Sequence, residues 1–317
     1  MKKVSIIGAG NIGSTLALIM AMKELSNEIY LLDIYEGPAK GKALDIMESS
    51  PILKFGAKIY GTASYEDIKN SDLYIITAGF PRKPGMTRED LLFKNYEIIK
   101  SVCDNLNKVI KKDSKVIVVT NPLDIMTYVA VKTLNLPQKQ VMGMAGVLDS
   151  ARFAYFISEK TGISVENIKA SVIGGHGDDM VPLVRYSTIA GLPLEFFLKK
   201  EEIEKLVERT RKGGTEIVNL LGTGSAYFAP AASIFEMSTA ILQNKRKVLP
   251  CSVYLEGKAG AHYDAQDLCV GVPVILGKDG VEEIILLDLN EEERKMWKKS
   301  VDSVRKVVEI LKSKVNL

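Results

Sequence analysis

The run Gly8-Ala9-Gly10-Asn11-Ile12-Gly13 constrains this chain more than any other segment, because of what surrounds it. The glycines follow a short apolar run, residues 4–7, and open an amphipathic stretch, residues 12–22. Strand, glycine turn and helix in that order let the backbone turn tightly, approach a pyrophosphate and pack the helix closely. A helix starting there aims its free N–H groups and the positive end of its dipole at the phosphates. Asp33 ends the next apolar run, residues 29–32, at the distance where an acid meets the ribose of a dinucleotide. Its carboxylate can accept both ribose hydroxyls and would repel a 2′-phosphate, which favours NAD over NADP; a flavin or another nucleotide stays compatible with the pattern.

Further apolar runs at 73–76 and 116–119 alternate with amphipathic segments at 88–111 and 123–134. Such alternation predicts an α/β fold on a doubly wound parallel sheet. The second half reads differently. Helical stretches at 151–161, 201–221 and 231–244 precede three apolar runs at 248–255, 268–277 and 280–288, with Lys278-Asp279-Gly280 as a turn. Consecutive antiparallel strands and an α+β domain follow from that pattern. Residues 290–317 carry an apolar stripe, Met296, Val301, Val304, Val307, Val308 and Leu311, which predicts a long terminal helix packed on the body. The change of pattern divides the chain into 1–145 and 146–317.

Composition excludes several classes. The chain has 317 residues, with 42 Lys plus Arg against 39 Asp plus Glu. A net charge of +3 gives no basic face for nucleic acid. No apolar run approaches membrane-spanning length, and the first residues read as a strand rather than a signal peptide. Cys103, Cys251 and Cys269 are widely spaced, so neither a disulfide framework nor a zinc site is expected, and a reducing cytoplasm fits.

Only two histidines are present, so a proton relay near neutral pH has few candidates. His176 lies in Ile173-Gly174-Gly175-His176-Gly177-Asp178, a glycine-rich turn after an apolar run; a solvated loop histidine is the other reading. His262 reads as a surface residue. Asp149 and Arg152 stand three apart at a helix start, as an orienting acid with an anion binder, or equally as a helix salt bridge or cap. Thr77-Ala78-Gly79-Phe80-Pro81-Arg82-Lys83-Pro84-Gly85-Met86-Thr87-Arg88 follows a predicted strand. It is placed either to close over an anion or to remain a solvated basic loop. Thr87 and Asp90 have the spacing of a helix capping box. Thr120-Asn121-Pro122 ends the next strand, with Asn121 able to bind a ligand oxygen or simply to begin a turn, and the Asn121-Pro122 bond open to the cis form.

Together these blocks closely resemble the lactate/malate dehydrogenase family, in its lactate-dehydrogenase-like group, over nearly the whole chain. The resemblance implies a Rossmann-type NAD domain followed by a catalytic α+β domain. It implies that His176 accepts the proton in malate oxidation with Asp149 orienting it. Arg152 would bind the C1 carboxylate bidentately, Arg88 would polarise the substrate carbonyl, and Asn121 would hold substrate and nicotinamide in register. Cofactor contacts would come from Gly8, Gly10, Asn11, Ile12, Gly13, Asp33, Thr77, Ala78, Gly79, Asn95, Thr120 and Asn121. Arg82 stands where lactate dehydrogenases generally carry Gln, and a second guanidinium there matches a second carboxylate. With pyruvate it would be left unpaired, at a cost of about 3–5 kcal/mol for a buried ion, or roughly two to four decades in rate. The implied partners are malate or oxaloacetate and further copies of the chain, as a homotetramer or a homodimer, with no nucleic acid, membrane or metal. Residues 258–270 look longer than usual for the family and are expected to alter a surface or subunit contact. A non-catalytic NAD sensor on the same fold is the rival reading, against which His176, Asp149, Arg152 and Arg88 stand together.

Overall fold

Strands buried on both faces need near-continuous apolar sequence, and the middle strands of the first half have it. Leu73, Tyr74, Ile75 and Ile76, like Val116, Ile117 and Val118, expose no surface. The computed structural model describes residues 2–80 and 87–315. In chain order the first half runs β1 (Lys3–Ile7), α1 (Asn11–Met22), β2 (Glu28–Leu32), α2 (Glu36–Glu48), the single turn α3 (Ser50–Leu53), β3 (Lys58–Thr62), β4 (Leu73–Ile76), α4 (Arg88–Leu106), β5 (Lys115–Val118), α5 (Leu123–Thr133) and β6 (Val141–Gly143). These strands pair in parallel in the order β3-β2-β1-β4-β5-β6. The order reverses between β1 and β4, and ligands of such sheets bind at that crevice.

The second half opens with α6 (Gly146–Thr161), followed by short strands β7 (Ile168–Lys169), β8 (Val172–Ile173), β9 (Val181–Pro182), β10 (Thr188–Ile189) and β11 (Leu192–Pro193). Then come α7 (Lys200–Leu221), α8 (Phe228–Leu242), β12 (Lys247–Leu255), α9 (Gly257–His262), β13 (Leu268–Gly277), β14 (Gly280–Ile284) and α10 (Glu291–Lys314). The antiparallel strands β12, β13 and β14 are present as the sequence pattern requires, but they do not form a sheet of their own. Ser252 of β12 pairs with Gly143 of β6, which extends the parallel sheet to nine strands among the described residues. A smaller core, with Phe153, Ile157, Leu194 and Leu206, lies apart from the main one.

Several boundaries differ from the sequence reading. The segment at 36–48, which has weak amphipathic character, is α2, and β3 was not foreseen because Lys58 and Tyr60 point to solvent on alternate positions. The helix expected from 151 begins at Gly146, so Asp149 and Arg152 both lie inside it. The helix expected over 88–111 ends at Leu106, and the strand expected to reach 288 ends at Ile284. Thr87 and Asp90 do form the capping box of α4, at 3.0 and 3.1 Å. Asn290 and Glu293 build another at the start of α10.

Residues 258–270 are more than a surface excursion. They form α9 and then bury Tyr263 and Ala265 under α10. The indole N–H of Trp297 donates to the Tyr263 carbonyl at 2.6 Å. Asp267 accepts from Tyr254 at 2.7 Å and Lys312 at 2.6 Å and pairs with Lys132 at 2.8 Å, tying α5, β12 and α10 to this connection. His262 is exposed, its Nε2 2.9 Å from the Leu287 carbonyl. Substituting Trp297→Phe leaves the buried Tyr263 carbonyl without its donor, which costs about 1–2 kcal/mol; a lower urea midpoint at an unchanged slope is the expected result.

Candidate active site

The glycine turn between β1 and α1 is shaped by close approach. Gly8 has φ +109°, and a Cβ there would lie 2.6 Å from the Ala78 nitrogen. A Cβ on Gly13 would meet the Gly8 carbonyl oxygen at 2.1 Å, so α1 packs against its own turn. Gly10, by contrast, faces open space and is the N-cap of α1 with no side-chain bond to the free N–H groups. Asn11 is exposed and Ile12 half-buried beside it. This cradle fits a pyrophosphate, with donors unclaimed by side chains and no Cβ in the way. Asp33, at the end of β2, accepts from the backbone N–H of Ala9 at 2.8 Å and of Tyr35 at 3.2 Å. Each carboxylate oxygen retains a further lone pair for a ribose hydroxyl.

Across the crevice, Thr77, Ala78 and Gly79 leave the end of β4. The Thr77 hydroxyl donates to the Gly8 carbonyl at 2.9 Å and the Thr120 hydroxyl to the Ala78 carbonyl at 2.6 Å. Asn95 of α4 is buried, and its amide is spent on backbone. It accepts from Phe80 N–H at 2.6 Å and donates to the Asn121 carbonyl at 2.6 Å. The side chains of Thr77, Asn95 and Thr120 therefore shape the crevice by bracing two loops. Asn121 is exposed beside them, and its bond to Pro122 is cis.

His176 follows β8 in a turn that approaches α10. Gly174 has φ +90°, and a Cβ there would lie 2.6 Å from Ser300 Oγ; a Cβ on Gly175 would lie 2.6 Å from Val304 Cγ2. The imidazole Nδ1 meets Asp149 Oδ2 at 2.8 Å, with the two side chains 14% and 3% exposed. With the carboxylate accepting from Nδ1–H, the neutral ring turns Nε2 outward as a proton acceptor. The other oxygen of Asp149 is 3.5 Å from Arg152 Nη1. Arg152 is largely buried, and its Nε has no hydrogen-bond partner among the described residues. Gly213 of α7 leaves room for it, since a Cβ there would sit 3.1 Å from Arg152 Cδ. A buried guanidinium with an orphaned donor is built to receive an anion.

Not every expected residue is assembled. Arg88, at the first position of α4, is 86% exposed and pairs with exposed Asp178 at 3.6 Å. Arg82 lies outside the described residues. Two groups were missed by the sequence reading. Asp124 accepts from the main-chain N–H of His176 at 2.7 Å, and Ser252 donates to the same carboxylate at 2.7 Å. The available signal was a lone acid in the otherwise apolar start of α5.

Residues 2–143 match the family model described as lactate/malate dehydrogenase, NAD binding domain, and residues 146–315 match lactate/malate dehydrogenase, alpha/beta C-terminal domain. The malate dehydrogenase of Bacillus cytotoxicus is 54% identical over 98% of each chain. Among solved structures, the malate dehydrogenase of Picrophilus torridus in its apo form superposes with a TM-score of 0.95 at 44% identity, covering 98% of each chain. The Cryptosporidium parvum lactate dehydrogenase, solved with lactic acid and β-nicotinamide adenine dinucleotide, reaches 0.92 at 40% identity, again over 98% of each chain. Backbone likeness thus spans enzymes named for different acids.

Charge at the histidine decides its proton affinity. Burial alone pulls the imidazole pKa down, but the charge and hydrogen bond of Asp149, with the charge of Asp124, outweigh burial and hold it above its ordinary value. Burial lowers the Arg152 pKa against the opposing pull of Asp149. Asp149→Asn removes the larger favourable contribution and leaves burial in place. The His176 pKa should then fall below its ordinary value, read from imidazole NMR titration, which two histidines make simple to assign.

Proposed function

This chain belongs to the lactate/malate dehydrogenase family, and on that premise we propose that it is an NAD-dependent malate dehydrogenase whose general base is His176. The observation that carries the reading is the shared carboxylate of Asp149, which holds His176 through one oxygen and the buried, partly unpartnered Arg152 through the other. A proton acceptor and a carboxylate receptor are thereby set side by side, as a 2-hydroxy acid requires. The relatives named malate dehydrogenase point to the dicarboxylate.

The glycine turn and Asp33 would hold NAD, which would supply the hydride acceptor for malate C2 and, as NADH, the hydride donor for the reverse direction. His176 Nε2 takes the hydroxyl proton as the C2 oxygen becomes a carbonyl, and Asp149 stabilises the imidazolium. In oxaloacetate reduction the protonated ring donates instead. Arg152 holds the C1 carboxylate as a planar fork. Arg88 has to leave Asp178 to reach the substrate oxygen, and Arg82 is assigned to the second carboxylate. Gly8, Gly10, Asn11, Ile12 and Gly13 receive the pyrophosphate and Asp33 the ribose. Thr77, Ala78, Gly79, Asn95, Thr120 and Asn121 shape and line the nicotinamide end.

Support for the finer readings is of a different kind. We take 1–145 as the cofactor half and 146–317 as the catalytic half, in a homotetramer with a homodimer as the alternative. Cytoplasmic residence agrees with the buried free thiols of Cys103, Cys251 and Cys269. Among the described residues no helix is long and apolar enough to cross a membrane.

The test is the loss of NADH absorbance with oxaloacetate or pyruvate. Oxaloacetate should win in kcat/KM by roughly two to four decades, and Arg82→Gln should erase most of that margin. Preference for pyruvate in the unmodified chain would overturn the proposal. His176→Asn should bind NADH normally while kcat drops by about 10²–10⁴-fold, measured by cofactor fluorescence and steady-state turnover.

A further inference from the structure

Nine consecutive residues at the start of α5, from Leu123 to Val131, are buried, and Asp124 is the acid among them. A carboxylate in such a place is costly unless its acceptors are used. Both are used, and neither by its own half of the chain. Oδ2 accepts the His176 N–H and Oδ1 accepts the Ser252 hydroxyl, each at 2.7 Å. Ser252 stands opposite Gly143, where the parallel strands meet the antiparallel ones.

The other main-chain ties of the histidine turn run within the second half. Gly174 exchanges two bonds with Gly271, at 2.8 and 3.1 Å, and Gly175 N–H donates to Ser300 at 2.9 Å. Asp124 supplies the buried tie to the cofactor half, three residues beyond Asn121, whose carbonyl Asn95 holds. From this we infer that Asp124 is a positioning residue of the proposed reaction: by holding the main-chain N–H it sets His176 at a fixed distance from the nicotinamide end of the crevice, and its carboxylate acts on the same residue. The inference rests on the reading of His176 as general base.

Among the described residues, the ionisable groups acting on His176 are Asp149 and Arg152 from α6 and Asp124 from α5; α10 and β12 offer the neutral Ser300 and Ser252. Removing the Asp124 charge therefore leaves Arg152 opposed by Asp149 alone and weakens the imidazolium. Asp124→Asn is the informative variant. Its Oδ1 can still accept the His176 N–H while its NH₂ donates to a rotated Ser252 hydroxyl, so the packing is retained and the charge is lost. Ser252→Ala does the reverse, keeping the charge but freeing one carboxylate oxygen.

The experiment joins imidazole NMR titration with NADH binding and oxaloacetate turnover. In Asp124→Asn the His176 pKa should fall, with kcat for oxaloacetate reduction down roughly tenfold near neutral pH and NADH affinity within about twofold. Ser252→Ala should keep the pKa and lose about threefold in kcat through looser placement. An unmoved His176 pKa with near-native kcat in Asp124→Asn would overturn the inference. If that variant does not accumulate folded, native kcat in Ser252→Ala overturns it equally. Because the NMR readout needs no substrate, a chain inactive on both acids would sink the proposed function while still testing the action of the Asp124 carboxylate on His176.

Discussion

A buried imidazole needs a reason to accept a proton, and Asp149 supplies it. The 2.8 Å bond to His176 holds one ring nitrogen and turns the other outward. Together with the charge of Asp124 it outweighs a burial that pulls the imidazole pKa down. The carboxylate then serves a second cation, Arg152, so proton acceptor and anion receptor share one anchor. Much of the second half can be understood as support for this arrangement. α6 carries Asp149 and Arg152 on one buried face, α7 offers Gly213 against the guanidinium, and α10 presses Ser300 and Val304 against the turn that bears the histidine.

Glycine does different work at the two ends of the site. In the cofactor cradle, Gly8 and Gly13 allow backbone to touch backbone, whereas Gly10 keeps space open for a ligand. At Gly174 and Gly175 no ligand is involved. There the missing Cβ lets a terminal helix, more than a hundred residues later in the chain, lie against the catalytic turn. One residue type thus opens a site in the first case and closes a core in the second.

How legible these features were follows from the range of the forces behind them. The strand, turn, helix and acid of the cofactor cradle lie within some thirty residues, and each obeys a local rule of backbone geometry or dipole. The capping box of α4 was readable for the same reason. His176 could be singled out by its rarity and its glycine-rich surroundings, but its pairing with Asp149 came from family resemblance. Asp124 was passed over, since a lone acid in an apolar helix has no meaning until the groups around it are known. Asn95 was assigned to the cofactor by resemblance, and its bonds to the Phe80 N–H and the Asn121 carbonyl, which brace two loops, were not legible.

By itself the sequence determined the alternation that winds the parallel sheet and the glycine turn, and it marked the candidate phosphate cradle, ribose acid and proton acceptor, because period, turn chemistry and short spacing act between near neighbours. Only the tertiary structure decided that β12, β13 and β14 continue the same sheet rather than form another. It alone placed Tyr263 and Ala265 of the 258–270 connection in the core and the carboxylate of Asp124 on the main chain of a histidine 52 positions away. Those outcomes depend on which buried donors and acceptors find one another once water is excluded. That matching is a property of the packed chain as a whole, where an unpaired polar group is too costly to leave.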